Sequence, residues 1–192
     1  MKKVHLLVSF AAIAVLSSSY GSFIASYSNV NGTWYDLNAA SSNADFQSSD
    51  LGTFDINSDQ LLLGAEMNIN GDNVYFSRIG WAVFDSGGSI IGSFVETAGT
   101  FDSAPGGNDR WVVSGVDRPD VLSGLTGSVG GTDYTLRVYL HGDYNPSGFD
   151  FYESNNSANY IANFSVVPEP GTYALLAGLL GFAYAAIRRR AQ

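Results

Sequence analysis

One acidic stretch has the ligand spacing of a calcium-binding loop. Asp55, Asn57 and Asp59 supply oxygen atoms at alternate positions, and Glu66 stands at position twelve counted from Asp55, as in an EF-hand loop. Position six, where the sharp turn of such a loop needs glycine, is Gln60. The sequence therefore allows two interpretations, a structural calcium site and a polar turn between strands, and it predicts no other cofactor.

The residues for hydrolytic catalysis are few. His141 is the only histidine outside the N-terminal segment, no Gly-x-Ser-x-Gly motif occurs, and a lone histidine lacks the partners of a serine triad. Glycoside hydrolysis needs two carboxylates roughly 5–10 Å apart, but Glu66, Glu96 and Glu153 are widely separated in the sequence. We therefore predict no catalytic residue and no enzymatic activity.

Aromatic side chains offer a third chemistry, because their faces stack on sugar rings while Asn and Asp form hydrogen bonds. Tyr139 is the strongest candidate, since it should lie on the outer face of its strand beside Arg137 and His141. Trp81 and Trp111 are the next candidates. A shallow groove with two or more exposed aromatic rings would favour a carbohydrate-binding module, whereas buried, paired carboxylates in a cleft would favour a hydrolase.

The elements that must position these residues are short strands. Runs of alternating apolar residues, separated by turn-forming Gly, Asn, Asp and Pro, predict half-buried strands and one hairpin. The predicted strands cover 23–28, 61–69, 74–84, 89–95, 111–113, 134–141 and 160–166. About eight short strands without crossover helices predict an all-β fold, an antiparallel two-sheet β-sandwich of jelly-roll type.

The composition between the two ends indicates one acidic domain. Residues 22–166 contain four arginines and seventeen carboxylates, a net charge of −13, and their number suits a single domain. Nucleic acid is excluded as a partner because no basic patch would neutralise its phosphates. The chain has no cysteine, so the stability of an exported domain must come from its apolar core.

The N-terminal segment is typical of a secretory signal peptide. Lys2 and Lys3 precede an apolar run over 6–16, and small residues follow it, which is the pattern that the export translocon and signal peptidase recognise. The run is too short to span a bilayer, which takes about 20 residues. We therefore predict a signal peptide with a helical apolar region over residues 1–21.

The C-terminal segment combines three features in a fixed order. They are the tripeptide Pro168-Glu169-Pro170, the uncharged apolar stretch 173–187 and the basic cluster Arg188-Arg189-Arg190. The stretch predicts a hydrophobic helix that serves as a transmembrane segment, with the arginines held on the cytoplasmic side. The alternative is a helix packed on the rest of the protein, which a helix that is apolar on every side does not favour.

These three features resemble the PEP-CTERM sorting signal of Gram-negative bacteria. The resemblance implies transient anchoring in the inner membrane and processing near the tripeptide by an exosortase-type enzyme. It also implies a final location in the cell envelope, at the cell surface or outside the cell. The family usually occurs in bacteria that build an extracellular polysaccharide or biofilm matrix. The expected boundaries are a signal peptide over 1–21, a β-sandwich domain over 22–166 and a sorting signal over 167–192.

The middle region also resembles a β-sandwich module of exported bacterial proteins. The similar segments are 50–54, 60–63, 134–139 and 159–164, and they imply a fold without an activity. We expect an exported, C-terminally processed envelope or extracellular-matrix protein that is not an enzyme and is linked to exopolysaccharide or biofilm. The alternatives are a carbohydrate-binding module and, third, an extracellular hydrolase.

Overall fold

The computed structural model of the chain describes six stretches of residues. They are 22–38, 43–70, 74–127, 131–144, 149–167 and 170–190. The predicted signal peptide over 1–21 lies outside them, as do Pro168 and Glu169 of the C-terminal tripeptide.

The described residues form twelve strands and one α-helix. The strands are β1 (Ser22–Val30), β2 (Thr33–Asp36), β3 (Ala44–Asp45), β4 (Ser49–Asp55), β5 (Leu63–Asn70), β6 (Val74–Asp85), β7 (Ile90–Ala98), β8 (Thr100–Ser103), β9 (Asn108–Val113), β10 (Thr132–Tyr144), β11 (Phe149–Glu153) and β12 (Tyr160–Val167). The helix, α1, is Pro170–Arg190. The all-β fold is therefore as predicted, with α1 as the one α-helix of the described residues.

The strands form two sheets with a shared core. Sheet one has the order β3-β2-β1-β5-β9-β8, and sheet two has the order β4-β12-β10-β6-β7, with β11 also paired to β10. One cluster of buried apolar side chains draws on both sheets, which is the arrangement of a β-sandwich. The predicted hairpin is confirmed as β6 and β7. Its turn is closed by Asp85 Oδ1, which accepts hydrogen bonds from the backbone of Gly87 and Ser89.

The sheets are mixed, so the prediction of a wholly antiparallel sandwich is wrong in this detail. The strand β4 pairs in parallel with β12, and β2 pairs in parallel with β3. The strands β4 and β12 lie near opposite ends of the sandwich sequence, so no hairpin turn fixes their relative direction. Apolar alternation assigns a face to each strand, but it does not give the direction of a distant neighbour.

The strand β10 organises the part of sheet two that carries the candidate site. One of its edges pairs first with β12 and then with β11, and its other edge pairs with β6. Its buried apolar residues Tyr134, Leu136, Val138 and Leu140 face the core. The residues between them therefore lie on the outer face of the sheet.

The C-terminal segment forms the predicted helix. It begins at Pro170, a position where proline is tolerated because the first-turn N–H groups have no partner within a helix. The large apolar side chains of α1 remain 49–78 % exposed, which does not match a helix packed on the sandwich. No helix in the described stretches is both long and apolar enough to cross a membrane.

Candidate functional site

The side chain of Tyr139 crosses from β10 to β7 because β6 has a glycine between them. Gly80 is the cross-strand neighbour of Tyr139, and a Cβ atom at residue 80 would lie 2.1 Å from Cζ of the tyrosine ring. The missing side chain thus leaves the space that the end of the ring occupies. The ring reaches β7, where its hydroxyl donates a hydrogen bond to Glu96 Oε1 at 3.1 Å.

Glu96 is the centre of a polar network on the outer face of sheet two. Its Oε2 accepts a hydrogen bond from Arg78 Nη1 at 2.9 Å, and its Oε1 lies 2.9 Å from His141 Nδ1. The other ring nitrogen, His141 Nε2, lies 3.1 Å from Asp150 Oδ1. We call these five residues, Arg78, Glu96, Tyr139, His141 and Asp150, the Glu96 network. It ties together β6, β7, β10 and β11.

The network shifts the pKa values of two of its members. Burial raises the pKa of the Glu96 carboxyl, but the hydrogen bonds from Arg78, His141 and Tyr139 outweigh it, so the pKa lies below its ordinary value. Burial, with the hydrogen bond to Glu96, raises the pKa of Tyr139 to about 12. At neutral pH the tyrosine therefore donates its proton to a bond with an ionised carboxylate.

Two exposed aromatic rings flank Tyr139. The ring of Phe94, 41 % exposed, has its centroid 5.8 Å from that of Tyr139, and the ring of Tyr152, 55 % exposed, lies 6.1 Å away on the other strand neighbour, β11. Tyr152 also stacks on the imidazole of His141, at 4.5 Å and an interplanar angle of 17°. We call Phe94, Tyr139 and Tyr152 the aromatic platform. Two of its three rings are exposed on the outer face of sheet two.

The other two candidate stacking residues do not join this platform. Trp81 alternates with Ile79 and Val83, and it lies on the inner face of β6, opposite Val138. Trp111 lies opposite Met67 in sheet one, and both tryptophans are partly buried against the core. Of the three residues predicted for stacking, only Tyr139 is on an outer face. The buried apolar residues at alternate positions around Trp81 indicate that its side chain also lies on the inner face.

The four residues with calcium-ligand spacing are divided between the sheets. Asp55, Asn57 and Asp59 close a turn after β4, in which Asp55 Oδ1 accepts from the Asn57 backbone and Asp59 Oδ2 accepts from the Asp55 backbone. Glu66 lies on β5 in sheet one, with Oε2 2.7 Å from Arg110 Nη2. In the described stretches no three His, Asp or Glu side chains are grouped to hold a metal ion. Asp55, Asn57 and Asp59 thus belong to one turn, while Glu66 belongs to an ion pair in the other sheet.

The sequence reasoning missed Phe94 and Glu96 as site residues. They lie more than forty positions before Tyr139 in the chain, and only the register of the β6–β7 hairpin, which places Glu96 opposite Gly80, brings them to it. A signal was present, because Phe94 and Glu96 alternate with Val95 and so share one face of β7. Combined with the predicted hairpin, that alternation would have pointed to this face.

A polar depression of about 370 Å³ lies toward the other end of the same strands. Its polar lining consists of Asp50, Asp133, Thr135, Asn163 and Ser165. The hydroxyl of Ser165 donates a hydrogen bond to Asp133 Oδ1 at 2.6 Å. Because Thr135 and Tyr139 are on one face of β10, the depression and the aromatic platform are parts of one outer surface.

The C-terminal segment leaves sheet two at the end remote from the platform. Val166, next to the last residue of β12, pairs with Thr132 at the start of β10. Tyr139 is seven residues further along β10, about 23 Å at the rise of a strand. The C-terminal segment therefore joins sheet two well away from the platform.

Comparison with known families identifies the C-terminal segment. Residues 166–190 match the family model of the PEP-CTERM protein-sorting motif, so the resemblance seen in the sequence is confirmed. A comparison with curated proteins gives no significant match. The CooA pilin subunit from enterotoxigenic Escherichia coli is a similar solved structure, with a TM-score of 0.32 and 7 % identity over 75 % of this chain and 99 % of that chain. A similarity this distant says nothing about function. The chain carries a PEP-CTERM sorting motif, which indicates an exported protein with a C-terminal membrane-anchor sorting signal that an exosortase processes.

Proposed function

We propose that this exported protein acts in the cell envelope or the extracellular matrix as a non-enzymatic protein that binds polysaccharide. Exosortase processing of the C-terminal segment delivers the sandwich to that location. The aromatic platform on the outer face of sheet two is the observation that carries the proposal. Envelope location, the matrix and the polysaccharide are our inference from these two parts of the chain.

The platform suits a sugar polymer because it combines exposed rings with fixed polar groups. Phe94 and Tyr152 are exposed beside Tyr139, and aromatic faces provide contact area at low cost in side-chain entropy. The Glu96 network holds Tyr139 and His141 in place, so the surface is ordered before a ligand arrives. A preorganised surface loses less conformational entropy on binding.

The state of Glu96 supports a binding role over hydrolysis. A glycosidase needs one carboxyl group whose pKa is raised, so that it can protonate the leaving oxygen. The carboxyl of Glu96 is next to the platform, but Arg78, His141 and Tyr139 lower its pKa. It is therefore held ionised and is already occupied by three partners.

Binding can be tested with the mature protein recovered from its native host. Affinity electrophoresis through gels that contain the host's extracellular polysaccharide should retard the wild-type protein, and Tyr152→Ala should reduce the retardation. Trp34→Ala is the control, because Trp34 is also an exposed aromatic residue, 41 % against 55 % for Tyr152, but lies on β2 in sheet one. Equal retardation of wild type and Tyr152→Ala, or no retardation of wild type, would contradict the proposal.

Processing can be tested separately by the intact mass of the mature protein from envelope and medium. We expect a mass that lacks both the first twenty or so residues and everything after the Pro168 region. Replacing Arg188, Arg189 and Arg190 with Gln should disturb this processing and change the fraction in which the protein is found. A mature mass that retains 173–190 would contradict C-terminal processing.

A further inference from the structure

Arg137 lies on the outer face of β10, two residues before Tyr139, and has no acidic neighbour across the strands. Its cross-strand partners are Ala82 on β6 and Ile161 on β12. Its guanidinium carbon lies 4.0 Å from the centroid of the Phe84 ring. Stacking of this kind engages the face of the guanidinium and leaves the N–H groups of its two Nη atoms available for hydrogen bonds.

Arg137 differs in this respect from the other arginines of the sandwich. Arg78 is paired with Glu96, Arg110 is paired with two carboxylates, and Arg118 donates to Asn29 and to the backbone of Gly115. Within the stretches that the structure describes, the side chain of Arg137 has neither an ion pair nor a hydrogen bond, and its Nε is buried without a partner. The region 22–166 has a net charge of −13, so an arginine side chain without any polar partner is unexpected there.

We infer that Arg137 and the aromatic platform form one site for an acidic polysaccharide, with Arg137 binding a sugar carboxylate. This inference rests on the proposed function and specifies its ligand class. Two residues on the same face of a strand are about 7 Å apart. A sugar ring stacked on the platform therefore places its neighbour in the polymer near Arg137. The planar guanidinium matches a carboxylate with two parallel hydrogen bonds.

Because the domain is acidic, binding of an acidic polymer should depend on Arg137 far more than binding of a neutral polymer does. A polyanion is repelled by the sandwich as a whole, because like charges raise the free energy of the complex. Binding of an acidic polymer must then depend on a local cation, and Arg137 is the one on the outer face whose charge no carboxylate of the described residues neutralises. Loss of that single charge should therefore have a large effect on an acidic ligand and a small one on a neutral ligand.

The test compares two forms of one polymer, polygalacturonate and its methyl ester. Oligomers of each are titrated into the mature protein by calorimetry. Wild type should bind the acid about tenfold or more tightly than the ester, since a hydrogen bond to a charged group contributes about 1.5–3 kcal/mol. Arg137→Gln should lose that preference. Arg137→Lys should retain part of it, because lysine keeps the charge but not the paired geometry. A sulfated dextran tests whether any anion suffices, and binding as tight as that of the acid would contradict carboxylate recognition.

Arg118→Gln is the control, because it removes the same charge at a position away from the outer face of sheet two. Urea unfolding of each variant checks that the sandwich is intact. If wild type binds acid and ester equally, and Arg137→Gln changes neither, the acidic-ligand inference is wrong while the proposed function stands. If wild type binds none of these polymers and also fails to bind the host polysaccharide, both are wrong.

Discussion

On the inner face of β10, Leu136, Val138 and Leu140 have no solvent exposure, whereas on the outer face of the same strand Arg137 and Tyr139 are half-buried. The inner residues are covered by the side chains of sheet one. The outer residues are covered only by their neighbours in sheet two. One strand thus supplies both the core and the candidate binding surface from alternate positions.

This difference predicts how substitutions on each face of β10 affect the protein. The inner face is close-packed, so a substitution that changes the volume of a side chain there should lower the stability of the fold. On the outer face some charged side chains are paired, such as Glu96 with Arg78, whereas that of Arg137 has no polar partner among the described residues. Substitutions there should change binding more than folding. The following predictions test that division.

The largest expected effect is a loss of stability from Leu136→Ala. Leu136 lies between Val83 and Ala162 on the inner face and is fully buried. Removing its branched end should lower the free energy of unfolding by about 2–5 kcal/mol, because the cavity is not refilled. Urea denaturation measures the loss. The adjacent outer-face variant Thr135→Ala should cost less than about 1 kcal/mol, and equal costs would contradict the assignment of the two faces.

A second, smaller loss is expected from Gly80→Ala. The added methyl would lie 2.1–2.6 Å from ring atoms of Tyr139, so the ring must move and its hydrogen bond to Glu96 is broken. We expect a cost of about 1–3 kcal/mol from this overpacking. In a Tyr139→Ala background the same substitution should cost much less, because the colliding ring is absent. Four urea curves give the coupling between the two sites, and a coupling near zero would contradict the contact.

The two faces also differ in how far the sequence predicts them. Alternation over 134–141 assigns Leu136 to the core and Tyr139 to the outer face, and both assignments are confirmed. Alternation works here because β10 is a long strand with one face buried. The sorting motif is equally local, since its three parts are consecutive in the chain, and it was identified from the sequence alone.

The assembled site depends on contacts that no local pattern encodes. Glu96 meets Tyr139 and His141 only through the register of β6 with β7 and β10. The parallel pairing of β4 with β12 likewise joins segments that are far apart in the sequence. Trp81 shows the opposite error, because residue type suggested a stacking surface while its alternation with Ile79 and Val83 places it on the inner face. For such residues the strand face is a better guide than the residue type.

Tyr139→Phe should separate the role of the hydroxyl, which holds the side chain to Glu96, from the role of the ring face, which is proposed to stack on sugar. The variant removes the hydroxyl that donates to Glu96 and keeps the aromatic face. We expect a loss of about 0.5–1.5 kcal/mol in the free energy of unfolding, typical of one hydrogen bond, and polysaccharide binding within about twofold of wild type, since stacking on the ring face remains. Urea denaturation and affinity electrophoresis measure the two effects. A complete loss of binding would mean that the hydroxyl, not the ring, contacts the ligand.

The smallest effect is expected in the pH dependence of stability. Burial raises the pKa of the Glu96 carboxyl, but hydrogen bonds from Arg78, His141 and Tyr139 lower it below its ordinary value of 4.5. A carboxyl whose pKa is lower in the folded state stabilises the fold above the unfolded-state pKa, and this contribution is lost as pH falls through the folded-state pKa. Wild type should therefore lose part of its stability below about pH 4.5, as Glu96 becomes protonated. Glu96→Gln lacks this contribution at every pH.

Because the chain has many other carboxylates, only the difference between the two stability curves isolates Glu96. We expect that difference to shrink by less than about 1 kcal/mol between about pH 6 and pH 3, since the partly exposed side chain is screened by solvent. Asp117→Asn, at an exposed position after β9, controls for the loss of one charge and should run parallel to wild type. If Glu96→Gln also runs parallel, the network does not favour the ionised carboxylate. The outer face would then differ from the inner face in exposure alone, without the electrostatic order that holds Tyr139 in position.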